Sequence, residues 1–102
     1  MVLDEVEGEA FRMISYAGDA LNCYYSAIVK KGRDGDVEAA RKLLDEGDGH
    51  LSNCHSIQTH LISAEANGEV IPYSLMMTHA QDHFITALNW QRMARLEIID
   101  LA

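Results

Sequence analysis

The 102 residues carry 16 Asp+Glu against 8 Lys+Arg, a net charge of −8, which excludes a basic face for nucleic acid and suits a chain that meets basic partners. This length fits one domain spanning 1–102, and 48% hydrophobic residues with one proline, Pro72, favour an all-helical fold over a sandwich or barrel. Cys23 and Cys54 form no C-x-x-C pair and read as reduced core residues. With no charged apolar leader and no apolar run near the roughly 20 residues of a membrane span, the expectation is a soluble, cytoplasmic protein.

The first helix is expected over Leu3–Lys31. Its apolar positions Leu3, Val6, Ala10, Met13, Ala17, Leu21, Tyr24 and Ile28 step by threes and fours along one face. Asp4, Glu5, Glu7 and Glu9 crowd its start, and Lys30 and Lys31 its end, in the sense that complements a helix dipole. Gly32 can end it.

Asp36 is a natural N-cap for a second helix reaching Ala66, with Val37, Ala40, Leu44, Leu51, Cys54 and Leu61 inward. Gly47-Asp48-Gly49 interrupts its middle, where each glycine costs roughly 1 kcal/mol against alanine. The apolar register continues across the gap, so one helix is expected, closed by Asn67-Gly68.

The third helix is expected from Pro72 nearly to Ala102. One apolar stripe holds Met77, Ala80, Phe84, Ala87, Ala94, Ile98 and Leu101, and another holds Leu75, Ile85, Leu96 and Ile99. A helix apolar on two faces must be buried on two sides. Three helices with short loops make an antiparallel, up-down-up bundle, and the spare face predicts self-association.

The same helix carries His79, Asp82 and His83, at offsets of three and four residues. Such spacing projects all three from one side of a helix, where polar groups among apolar ones need partners. A metal site, a pH-sensitive core and a phosphoryl-carrying histidine each answer that need. Zinc or another divalent ion suits two imidazoles and a carboxylate. Bundle metal sites draw ligands from several helices, however, and the first two helices offer few. Gln58 falls where Leu51, Cys54 and Leu61 anticipate an apolar side chain; its amide can fix register or serve a neighbouring histidine or ligand. His50, His55 and His60, five residues apart, rotate by about 140° at each step and share no face. Glycine-rich nucleotide motifs are absent. A neutral imidazole is able to attack phosphorus, a role open to His79, and His83 could donate to phosphate oxygens.

Met76-Met77-Thr78-His79-Ala80-Gln81-Asp82-His83-Phe84 closely resembles the active-site signature of the lactose/cellobiose-type IIA component of the bacterial phosphoenolpyruvate-dependent sugar phosphotransferase system. Tyr16-Ala17-Gly18-Asp19-Ala20, Gly35-Asp36-Val37-Glu38-Ala39-Ala40 and His55-Ser56-Ile57-Gln58-Thr59-His60-Leu61-Ile62 resemble family segments in the same order. Gln81 and His83 follow the cellobiose/chitobiose variant of the motif, while Phe84-Ile85 replaces the more usual Leu-Met.

The resemblance implies a homotrimer of three-helix subunits with sites in clefts between chains. It further implies that His79 takes a phosphoryl group from HPr and passes it to a cysteine of the IIB component, upstream of the membrane component IIC. Gln58 and His83 are then expected to line the site. By the same resemblance Asp82 lies on the trimer axis, where three carboxylates meet a divalent, Mg²⁺-like ion or share protons. No organic cofactor is implied. The rival readings are a helical adaptor with a structural His79, and a metal-dependent enzyme ligated by His79, Asp82 and His83.

Overall fold

The computed structural model describes residues 1–101. Three helices follow in order, α1 (Leu3–Asp34), α2 (Val37–Ala66) and α3 (Leu75–Arg95), and a π-helical turn (Leu96–Asp100) extends the last. No strand occurs among the described residues. The three helices run up, down and up in a rod of 49 × 20 × 16 Å. A helix of 32 residues spans about 48 Å, so α1 alone sets the length. It is also the mast of the bundle, since α2 and α3 each pack more extensively on α1 than on one another.

The caps fix where the chain turns. Gly35 ends α1 at φ 67°, and the Asp36 N–H reaches back to the Lys30 carbonyl at 3.1 Å, so Gly32 remains helical. Asp36 then caps α2 by accepting from the Ala39 N–H at 3.0 Å. Gly68, at φ 91°, turns the chain out of α2. The expected start of α3 at Pro72 moves to Leu75, because the buried Ser74 supplies the cap by accepting from the Met77 N–H at 3.2 Å. Pro72 stays in the connection. At the far end the helix widens instead of running on, and the Lys31 ammonium donates to the Glu97 carbonyl there. Ala102 lies outside the described residues.

The core is built largely of small side chains. Ala10, Ala17, Ala20 and Ala27 of α1 and Ala80, Ala87 and Ala94 of α3 are buried, which lets helix axes approach closely. The seven-residue spacing on α3 keeps one seam against its neighbours, as in a left-handed bundle. Met13, Tyr24, Leu44, Leu51, Cys54, Ile57, Leu61, Phe84 and Ile98 fill the remaining volume. Of the expected inner face of α1, Val6, Ala10, Met13, Ala17 and Tyr24 are buried; Ala20 and Ala27 join them, whereas Leu21 and Ile28 are half-buried and Leu3 is exposed.

Helix α2 runs unbroken through Gly47-Asp48-Gly49. A Cβ on Gly47 would stand 2.7 Å from Tyr24 Cε1 and 3.1 Å from Cys23 Cβ, so the glycine is what lets α1 and α2 meet there. Its neighbour Asp48 accepts from the Tyr24 hydroxyl at 2.6 Å and from the Gln91 amide at 2.9 Å. Burial, with this bond second, raises the Tyr24 hydroxyl's pKa well above its ordinary value. This polar knot ties all three helices together.

Candidate functional site

Helix α3 presents two apolar sides, and only one is covered within the chain. Ala80, Phe84, Ala87, Ala94 and Ile98 are buried, while Leu101, assigned from sequence to the same stripe, is exposed. The opposite stripe lies open, with Leu75 72%, Ile85 48% and Leu96 47% exposed. Thr78, Asp82, Asn89 and Arg92 fall on the same line at three- and four-residue steps. Asp82 therefore sits within an exposed seam in which apolar and polar side chains share the surface. Its carboxylate has no hydrogen bond or ion pair to another described residue.

His79 and His83 occupy the flank of that seam. Their Nε2 atoms are 3.0 Å apart, and the rings meet edge-on at 88° with centroids 4.5 Å apart. One nitrogen must donate and the other accept, so this contact holds with at least one neutral imidazole. His79 lies one residue past the first turn after the Ser74 cap, where the helix dipole has mostly faded. A groove of about 710 Å³ opens beside it, lined by His79, Asp82, Leu75, Thr78, Tyr73 and Glu7 among others.

Gln58 is placed elsewhere. Its amide donates to Gln81 Oε1 at 2.8 Å, and the Gln81 amide in turn contacts the Met77 sulfur at 3.3 Å. Gln81 and His79 are two residues apart on α3, so their side chains diverge by about 160°. Gln58 thus flanks the opposite side of α3 from the histidine pair, in a groove with His55, Phe84 and Gln91. The inward position anticipated for it belongs to Ile57, which is buried, while Gln58 is half-buried. Gln81 was visible in the motif, but its pairing with Gln58 had no sequence signal.

His79, Asp82 and His83 do not converge as metal ligands. Among the described residues one group of three brings its ligand atoms within 4.8 Å of one another, and it is Cys23, Glu46 and His50. Of the other histidines, His55 stacks on Phe84 with centroids 5.5 Å apart, and His60 is exposed. Cys54 is a core thiol, as expected; it donates to the Met13 carbonyl at 3.4 Å, and burial pushes its pKa up to about 11. Cys23 is half-buried instead.

An all-helical chain with an exposed histidine pair near the start of its last helix has the architecture of a phosphotransferase-system IIA component, and comparison with known proteins bears this out. The profile described as "PTS system, Lactose/Cellobiose specific IIA subunit" matches residues 8–102, and the chain belongs to that family. It is 40% identical over 98 residues to the lichenan-specific phosphotransferase enzyme IIA component of Bacillus subtilis, covering 96% of this chain and 87% of that protein. It is 39% identical over 85 residues to the lactose-specific EIIA component of Staphylococcus epidermidis, covering 83% and 81%. The crystal structure of PtcA from S. mutans superposes with a TM-score of 0.92 at 30% identity, covering 99% of this chain and 97% of that one. The cellobiose-specific enzyme IIA of Bacillus anthracis gives 0.85 at 30% identity, covering 99% and 89%. The chain is thus a lactose/cellobiose-type IIA component of the sugar phosphotransferase system. No described helix is long and apolar enough to cross a membrane.

Proposed function

We propose that this protein is a cytoplasmic phosphocarrier in which His79 relays a phosphoryl group to the uptake of a disaccharide of the cellobiose, chitobiose or lactose class. The observation that carries the reading is the 3.0 Å contact between the Nε2 atoms of His79 and His83 at an open groove, within a chain of this family. In the resting pair His79 Nε2 accepts from His83; as that contact opens, its freed lone pair attacks the phosphorus of phospho-HPr, and the donor's P–N bond breaks as the new one forms. His83, as the donor partner, then turns its N–H to a phosphoryl oxygen and offsets the added charge. In the second transfer the His79 P–N bond breaks as a cysteine thiolate of IIB forms a P–S bond. The component IIC would complete the chain at the membrane.

The acceptor site is completed by neighbouring chains in this reading. The exposed stripe of Leu75, Ile85 and Leu96 supports a homotrimer, since apolar area of this kind is stabilised by burial. Gln58, on the far flank of α3 in its own chain, would approach a histidine pair only from the adjacent subunit. Asp82 lies in the seam that three chains would share. One carboxylate offers too few oxygens to hold an ion by itself, whereas three around an axis suit a shared divalent cation, whose role would be charge compensation.

The test is incubation with phosphoenolpyruvate, the general phosphotransferase proteins and Mg²⁺. An acid-labile gain of one phosphoryl group is expected, and His79→Ala should lower it at least about 10³-fold while keeping the helical signal. A gain that survives His79→Ala, or none in the unaltered chain, would overturn the assignment.

A further inference from the structure

We propose that Cys23 of α1 and Glu46 and His50 of α2 form a separate binding site for a thiophilic divalent transition ion of the zinc class. Glu46 and His50 are four residues apart and face the same way, and Cys23 meets them from the neighbouring helix. All three ligand atoms lie within 4.8 Å of one another, and His50 Nε2 stands 3.9 Å from Glu46 Oε1. Around a tetrahedral zinc, with bonds of about 2.0–2.3 Å, ligand atoms sit about 3.3–3.6 Å apart. Closing the difference asks for about 1 Å of side-chain rotation, well within the reach of Glu46, whose side chain is 62% exposed.

The backbone is already arranged for this. Gly47, between the two α2 ligands, permits the close helix approach that carries Cys23 to them, since a Cβ there would meet Cys23 Cβ at 3.1 Å. His50, with its side chain 31% exposed, leaves a path for an ion and for a water as fourth ligand. The local charge favours a cation as well. The carboxylates of Glu46 and Asp19 lie close enough to Cys23 to place negative charge at the site. A sulfur, nitrogen and oxygen donor set selects zinc, cobalt or a similar ion over magnesium or calcium. An ordinary Glu46–His50 ion pair would account for two of these residues but leaves the convergence of Cys23 unexplained.

The site is remote from phosphoryl chemistry. Its level in the bundle is that of Tyr24, Asp48 and Gln91, and Gln91 lies 12 residues beyond His79 on α3, about 18 Å along the axis. The experiment is a Co²⁺ titration of the full chain under a non-coordinating reductant, followed by optical absorption. A thiolate-to-cobalt charge-transfer band saturating at one ion per chain is expected, retained in Cys54→Ser and in His79→Ala. Cys23→Ser should abolish the band, and His50→Ala should weaken cobalt binding at least about tenfold. No thiolate band in the unaltered chain, a band that survives Cys23→Ser, or undiminished affinity in His50→Ala would each overturn the proposal. Should Cys23→Ser lose its helical signal, the His50→Ala titration decides alone.

Discussion

Two clusters of polar side chains sit on these helices, and they are finished to different degrees. Tyr24, Asp48 and Gln91 form a closed knot in which the aspartate accepts from both partners across three helices. His79, Asp82 and His83 lie at the open edge of α3, where the histidines contact one another and the Asp82 carboxylate has no hydrogen bond or ion pair to another described residue. The same physics governs both: a polar group away from water must find a partner. The first cluster meets that demand inside the chain and serves stability. The second faces solvent, where water satisfies its polar atoms, and stays available to other molecules. Under the proposed function, completeness within the chain separates a structural polar cluster from the one that works with partners.

The largest effect should come from the open region. Ile85→Lys combined with Leu96→Lys places two charges in the exposed seam. Apolar side chains there would each contribute about 1.5–3 kcal/mol when buried. Sedimentation should show a trimeric mass falling to that of one chain, with helix content kept. A single-chain mass in the unaltered protein would break the comparison by removing the partner it requires.

The closed region should answer to alkaline pH. Burial raises the Cys54 thiol from 9.0 to about 11, so the folded state disfavours the thiolate. The contribution is fully present below the unfolded pKa and is lost as pH rises through about 11, a loss of about 2–3 kcal/mol. Tyr24, raised in the same direction, adds to it at still higher pH. Thermal melts between pH 8 and 11 should fall steadily, and Cys54→Ala should flatten that slope. An unchanged slope in the variant would remove Cys54 as its source.

Gly47→Ala tests the tight crossing itself. The new methyl would lie 2.7 Å from a buried, rigid ring, so overpacking should outweigh the gain in helix propensity. A net loss of about 1–2 kcal/mol in a denaturant titration is expected. Stabilisation would mean the helices can part at little cost.

The smallest effect sharpens the placement of Asp82. If three carboxylates crowd one axis, Asp82→Leu should leave the trimer intact or strengthen it by up to about 1 kcal/mol. Dissociation of that variant, with its helices intact, would take Asp82 off the axis.

Much of the fold and part of the site were legible in the residues alone. Three- and four-residue spacing gave the three helices, and the Met76–Phe84 motif singled out the histidine pair. Capping chemistry was less readable: Pro72 and Gly32 both suggested helix ends, but Ser74 and Gly35 form them because their hydrogen bonds close there. Gln58 shows the limit most clearly. Its unusual amide was noticed, yet its partner, Gln81, lies 23 residues away on another helix.

The sequence by itself determined the helices and most of the core stripes, because side-chain periodicity is a local property of the chain. Only the tertiary structure decided how the helices are rotated about their axes. That rotation buries Ala20 in place of Leu21, opens the Asp82 seam and brings Cys23 to Glu46 and His50. It depends on how two surfaces interlock at each crossing, as at Gly47, and no spacing within one helix encodes that.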